Sequence, residues 1–145
     1  MELPALAIGA SVVEGEIYFF TEQCPVGVAN HPHVLLRHKD KYLFLNTCSS
    51  SLDTAIRLAQ ARKWPIDSYP VVHKSAVNNL TYDSYVNCNE YIELTEEQFG
   101  AYYKSGYIRR ERGRGVLEEA DMNRVRRGIE ISVNITDEDK DWILR

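Results

Sequence analysis

Two short apolar runs separated by a polar turn limit the folds that this chain can adopt. His33–Arg37 and Tyr42–Asn46 are rich in leucine, valine and aromatic residues, and Lys39-Asp40-Lys41 lies between them. Strands joined by so short a connection run antiparallel, because a parallel pair needs a crossover of a dozen or more residues. The sequence therefore predicts an antiparallel hairpin.

Other short runs of the same character predict further strands of this sheet. They are bounded by glycine, proline and asparagine, which is typical of strands joined by turns. The runs are Glu16–Phe20, Tyr69–His73, Ser84–Cys88, Tyr91–Leu94 and Tyr107–Arg109. We expect a strongly bent antiparallel sheet of five to seven strands. The side chains expected to point inward are Ile17, Phe19, Val34, Leu36, Leu43 and Leu45.

Three segments predict helices. In the first, apolar residues recur at helical spacing from Leu52 to Ala59, with Ser50 and Asp53 as its capping box. The second begins at the capping box Thr95–Gln98 and ends at Gly106. The third starts at Leu117, and its apolar stripe of Met122, Val125, Ile129 and Val133 predicts a C-terminal helix that packs on the sheet. One more short turn is expected between Thr136 and Arg145. The fold class is therefore α+β, mainly β.

Length and composition indicate one globular domain over residues 1–145. No apolar run approaches the ~20 residues that cross a bilayer, and no basic segment precedes an apolar one at the N-terminus, so we expect a cytoplasmic protein without membrane contact. Cys24, Cys48 and Cys88 are widely spaced, which argues against a disulfide framework or a structural zinc site.

Charge is segregated along the chain. The net charge of −4 excludes nucleic-acid binding by the whole surface, but a local basic loop holds Arg109, Arg110, Arg112 and Arg114 among glycines. Arginine suits phosphate, and Tyr107 nearby suits base stacking, so this loop is a candidate RNA-binding segment. Lys74 is a further candidate phosphate contact. The alternative is an ordinary solvated loop.

The order of the motifs resembles that of the MazF/PemK (PemK-like) toxin endoribonucleases. The segments that carry the resemblance are Gly15–Phe19, Cys24–Gly27, His31–Leu36, Asn46–Ser49, Leu80–Val86, Tyr91–Phe99 and Leu117–Ser132. Together they span about residues 13–133. Residues 51–68 are inserted or divergent relative to the family pattern.

This resemblance implies a fold, an activity and partners. The fold would be a half-open SH3-like barrel with a C-terminal packing helix. The activity would be metal-independent cleavage of single-stranded RNA by its own 2′-OH, without a cofactor, in a toxin–antitoxin or related defence system. The partners would be a second copy in a homodimer and an antitoxin protein. The catalytic residues would be His31, Thr47 and Ser49.

One departure from the family keeps the function open. His31 stands where the family has an arginine, so the site gains a group that exchanges protons near neutral pH and loses a fixed charge and a bidentate fork. A non-catalytic module of the same fold that binds nucleic acid or a protein partner is therefore an alternative. His31 could also merely cap a turn, and Thr47, Ser49 and Ser50 could form a loop and a helix cap.

Two further alternatives rest on residue type alone. Cys48, His73 and an asparagine, Asn78 or Asn87, have the composition of a cysteine hydrolase. His31 and His33 alternate along a strand as a metal pair would, but no further ligand cluster lies near them in the sequence.

Overall fold

A computed structural model describes residues 12–78, 80–110 and 115–145, and for residues 37, 38, 48 and 49 it describes the backbone only. The strands are β1 (Ile17–Phe20), β2 (His31–His38), β3 (Lys41–Ser49), β4 (Val71–Val72), β5 (Ser84–Val86), β6 (Ile92–Thr95) and β7 (Ile108–Arg110). The helices are α1 (Leu52–Arg62), α2 (Glu96–Lys104), α3 (Glu119–Ile131) and α4 (Asp137–Leu144), with a 3₁₀ turn at Ile66–Ser68.

The strands form one antiparallel sheet that is bent at its centre. Its order is β4-β5-β3-β2-β1-β7, and β6 pairs with the first half of β3. The pairing shifts register between Leu35 and Arg37 and again between Thr47 and Ser49. Such bulges bend a strand and increase its twist. The predicted bent antiparallel α+β fold is confirmed.

The sheet is buried on both faces. One face packs under α3, and its cluster holds five of the residues predicted to point inward: Ile17, Val34, Leu36, Leu43 and Leu45. The other face packs under α2: Tyr18, Phe20, Leu35, Tyr42 and Phe44 of the sheet form a cluster with Phe99 of the helix. The period-two pattern predicted the first face and missed the second, because it took only alternate residues as core. Phe19 is only partly buried, so its assignment to the core was wrong.

The helix ends follow local hydrogen bonds. Thr95 and Gln98 form the predicted capping box of α2. The cap of α1 is Ser51 and not Ser50, because the Ser51 hydroxyl accepts the Thr54 N–H.

In the C-terminal helix α3, Met122, Val125 and Ile129 are buried as predicted, whereas Val133 lies beyond the end of the helix and is 69% exposed. The tail contains a full helix, α4, capped by Thr136. None of the helices in the described ranges is both long enough and apolar enough to span a bilayer.

Candidate functional site

A cavity of about 420 Å³ opens where the ends of β1, β2 and β3 meet the loop before β5. Its lining combines apolar and polar side chains. The apolar or aromatic residues are Phe19, Pro32, Leu80 and Tyr82, and the polar residues are Asn30, His31, Thr47, Ser50, Thr81 and Ser84. The structure therefore brings His31 and Thr47 together at one cavity.

The imidazole of His31 is fixed by the backbone of β3. Its Nδ1 lies 2.9 Å from the carbonyl oxygen of Thr47. A carbonyl oxygen can only accept, so Nδ1 carries the proton and the neutral ring presents its lone pair at Nε2. No described residue forms a hydrogen bond with Nε2. The ring is only partly buried and lines the cavity, so Nε2 can exchange a proton with a molecule bound there.

Thr47 has a supporting position. Its side chain is almost fully buried, and its hydroxyl donates to the carbonyl oxygen of Pro32 at 2.9 Å. Because that proton is already used, the hydroxyl is a poor donor to a ligand. Thr47 instead ties β3 to β2 and orients His31 through its own carbonyl group. Among the other predicted hydroxyls, the Ser49 side chain lies outside the described atoms, and Ser50 lines the cavity.

His33, two residues further along β2, is a structural histidine. It is fully buried, its Nδ1–H donates to the His31 carbonyl oxygen at 3.0 Å, and its Nε2 accepts the Val28 N–H at 3.2 Å. Its ring stacks on Phe20 with 3.9 Å between centroids. Burial is the main cause that lowers the pKa of His33 to about 4. His33 is therefore neutral and fully bonded.

The loop that covers His33 depends on a glycine. Gly27 has a φ of +78°, and a Cβ there would lie 2.6 Å from the Phe20 ring. Only glycine combines this backbone conformation with so close an approach. The Cys24–Gly27 segment that carries part of the family resemblance thus supports the neighbouring core.

The two arginines of β7 have different environments. Arg109 is exposed, pairs with Phe19 across the strands, and holds its guanidinium 5.1 Å from the centre of the Phe19 ring. Since Phe19 lines the cavity, Arg109 lies at its edge. Arg110 is turned away: its Nε lies 3.1 Å from a carboxylate oxygen of Glu16, and it donates to the Tyr103 hydroxyl at 2.7 Å.

Two more predicted RNA contacts, Lys74 and Tyr107, do not line the cavity. Arg112 and Arg114 lie outside the described residues. Lys74 is exposed on the loop after β4, where its N–H donates to Asp83 at 2.9 Å. The Tyr107 ring lies 6.4 Å from that of Tyr102. Of the predicted arginines in the described ranges, Arg109 is the one that contacts a residue of the cavity lining, Phe19.

The cysteine hydrolase set is not assembled. β5 lies between β3, which carries Cys48, and β4, which precedes His73. Two strand spacings separate them by roughly 10 Å. His73 contacts Asp83 at 3.4 Å, and Asn78 is buried with its side chain bonded to the backbone of its own loop. Asn87 lines a different cleft.

Leu80, Thr81 and Tyr82, in the loop that closes the cavity, were not among the predicted site residues. Leu80, Thr81 and Tyr82 reach the cavity because Asp83 and Asn78 hold the loop by hydrogen bonds to its backbone. The Asn78 and Asp83 turn residues were visible in the sequence, but the cavity that their loop closes was not. Elsewhere, no three His, Cys, Asp or Glu side chains cluster as metal ligands within the described part of the chain.

Comparison with known proteins shows a distant likeness to solved structures only at the level of the fold. No protein-family model matches the sequence, and no curated protein matches it. Among solved structures, the chain is similar to an "Endoribonuclease from Mycobacterial species", with a TM-score of 0.45 and 13% identity over 82% of this chain and 88% of that one. A functional assignment therefore has to rest on the site itself.

Proposed function

We propose that the protein is an endoribonuclease that cleaves single-stranded RNA at the cavity of His31. The observation that carries this proposal is the hydrogen bond from His31 Nδ1–H to the Thr47 carbonyl oxygen. It fixes the ring in the tautomer whose Nε2 can accept a proton. A positioned imidazole of this kind contributes about 100-fold to 10,000-fold to a proton-transfer reaction.

The reaction uses the nucleophile of the substrate. His31 Nε2 takes the proton of a 2′-hydroxyl, the 2′-oxygen attacks the adjacent phosphorus, and the bond to the 5′-oxygen breaks. The 5′-oxygen gains a proton from solvent, so the products carry a 2′,3′-cyclic phosphate and a 5′-hydroxyl. The imidazolium formed in this step keeps its Nδ1–H on the Thr47 carbonyl oxygen. No metal ion enters the step.

Charge at the cavity edge supports the same reaction. During attack, negative charge develops on the non-bridging oxygens of the phosphate, and a nearby cation stabilises this charge. Arg109 is the described arginine placed for this, since it lies over Phe19 of the lining. In this proposal Arg109 binds the phosphate and His31 exchanges the proton, so the two functions of the missing family arginine are divided between two residues.

The biological setting follows from the sequence resemblance. As a MazF/PemK-like chain, the protein would act as a toxin in a toxin–antitoxin or related defence system, as a homodimer inhibited by an antitoxin. The molar mass in solution tests the dimer, and co-expression with a neighbouring small acidic reading frame tests the antitoxin by relief of growth inhibition.

A second candidate is a module that binds RNA without cleaving it. Two observations favour it: the Thr47 hydroxyl donates to the Pro32 carbonyl oxygen, and the described residues that line the cavity include no lysine or arginine. The site then holds one proton-exchanging group and only a peripheral cation. This candidate predicts binding at the same cavity with intact RNA recovered.

One experiment separates the two candidates. A long single-stranded RNA is incubated with purified protein in EDTA, and the ends of the products are mapped. Cleavage to 2′,3′-cyclic phosphate ends is expected, and a strand with 2′-deoxy sugar at the mapped position should remain intact. Recovery of intact RNA, or cleavage of the 2′-deoxy position, would contradict the proposed reaction.

A further inference from the structure

Tyr82 exposes 65% of its surface although it lines the cavity. Single exposed apolar residues are common and need no explanation. A large exposed aromatic ring that also lines a cavity with other apolar residues is different, since its open flat face is available to a molecule bound in that cavity. The question is what that face binds.

The backbone around Tyr82 is held on both sides. The Ser84 hydroxyl donates to the Tyr82 carbonyl oxygen at 3.0 Å, and the Asp83 carboxylate accepts the Lys74 N–H at 2.9 Å. Further back in the loop, the buried Asn78 side chain accepts the N–H groups of Ser75 and Leu80. A ring on so well bonded a turn loses little freedom when a ligand covers it, which favours binding.

The two aromatic rings of the cavity are not equivalent. Phe19 is covered by the Arg109 guanidinium at 5.1 Å. Tyr82, in contrast, has no ring or cation contact among the described residues. Pro32 and Leu80 supply the remaining apolar surface, and Asn30 and Thr81 place exposed polar groups at the rim. This combination fits a flat heteroaromatic group with hydrogen-bonding edges.

We infer that the cavity is a nucleobase subsite in which one base of the single strand stacks on Tyr82 while Arg109 holds a phosphate of the same strand. This inference rests on the proposed function and names the part of the substrate that the site holds. The Asn30 amide, which offers both donor and acceptor groups, lies at the rim where it would contact the edge of that base. Tyr82 is thus a base-binding residue and not a catalytic one.

The test removes the Tyr82 ring and one base of the strand, first singly and then together, and compares the resulting losses of affinity. The probe is a mixed-sequence single strand of about ten nucleotides with 2′-deoxy sugars, which cannot be cleaved by 2′-OH attack, together with a set in which each base in turn is removed. Affinity is measured by fluorescence anisotropy. Stacking of one base is worth roughly 5-fold to 150-fold in affinity.

For the unchanged protein, loss of one particular base should weaken binding by this factor. Tyr82→Ala should weaken binding of the complete strand by the same factor. This variant should also bind the complete strand and the abasic strand with equal affinity. Tyr82→Phe keeps the ring and should behave like the unchanged protein. Val77→Ala is the matched control, because Val77 is exposed on the same loop but does not line the cavity.

The outcomes separate this inference from the proposed function. If Tyr82→Ala leaves affinity unchanged, or if it still distinguishes the abasic strand, the inference is overturned even where RNA is cleaved. If the effects of Tyr82→Ala and of base removal are not additive but natural RNA stays intact, the proposed cleavage activity is rejected and the base subsite is supported. Absence of binding to this strand and to its ribose counterpart would overturn both.

Discussion

His31 and His33 lie two residues apart on β2, and their surroundings give them opposite properties. Both donate Nδ1–H to a backbone carbonyl oxygen. His33 has its second nitrogen bonded to Val28 and its ring stacked on Phe20, while His31 keeps Nε2 without a described partner at a cavity. A histidine becomes a candidate for catalysis when the fold satisfies one nitrogen, and a structural element when it satisfies both.

The arginines of β7 repeat this contrast. Arg110 is paired with a buried carboxylate, while its neighbour Arg109 is exposed and lies over Phe19, a residue of the cavity lining. Adjacent residues of a strand point to opposite faces, so one face can hold structural charge and the other can meet a ligand. The comparison predicts which substitution in each pair changes activity and which changes stability.

The largest expected effect is on cleavage by His31→Ala. Loss of the proton acceptor should lower the rate constant for RNA cleavage by about 100-fold to 10,000-fold. The free energy of unfolding should change by about 1 kcal/mol or less, because only one partly exposed hydrogen bond is lost. Single-turnover cleavage and urea unfolding measure the two quantities. A His31→Ala variant that is destabilised and yet fully active would show that His31, like His33, has a structural role and not a catalytic one.

Arg110→Met should act on stability. Glu16 is only 3% exposed at its side chain, and the substitution leaves this buried carboxylate without its guanidinium counter-charge, although the Val13 N–H still donates to it. Loss of one partner of a buried ion pair costs about 3–5 kcal/mol. The double variant Arg110→Met with Glu16→Gln removes both charges and should regain part of that loss. Urea unfolding of the three proteins is the measurement. A loss below about 1 kcal/mol for the single variant would show that the pair is not structural.

The pH dependence of stability should report His33. Folding lowers its pKa from 6.5 to about 4, so between these values the unfolded chain binds more protons and acid favours unfolding. This residue should therefore remove about 2 kcal/mol of stability between pH 7 and pH 5. In His33→Gln that part of the pH dependence should disappear. Identical slopes for the two proteins would mean that His33 does not titrate as its burial requires.

Much of the fold could be predicted from the sequence, because its signals are local. The hairpin of β2 and β3 follows from two apolar runs and a short turn, and the start of α2 follows from Thr95 and Gln98. The second buried face did not follow, since its burial depends on where α2 packs. Period-two patterns cannot show that both faces of a strand are covered.

Less of the site could be predicted, because its contacts join distant segments. His31 and Thr47 were paired through the resemblance, and the hydrogen bond between them is consistent with neighbouring strand ends. The structural role of Arg110 depends on Glu16, which is 94 positions away in the sequence. Tyr82 reaches the cavity only through the folding of its loop. No spacing rule would have connected these residues.

The smallest expected effect is on the salt dependence of RNA binding by Arg109→Gln. Each phosphate neutralised on a single strand contributes about −0.7 to the slope of log affinity against log salt concentration, because counterions are released. If Arg109 holds one phosphate, the slope should become less steep by about that amount while stability stays unchanged. Arg126→Gln is the matched control, since Arg126 on α3 pairs with Glu119 and does not line the cavity. Equal salt slopes for Arg109→Gln and Arg126→Gln would show that Arg109 does not bind a phosphate of the RNA. The contrast with Arg110 would then reduce to two structural arginines, one buried and one on the surface, and the positive charge for the phosphate would have to come from another part of the chain.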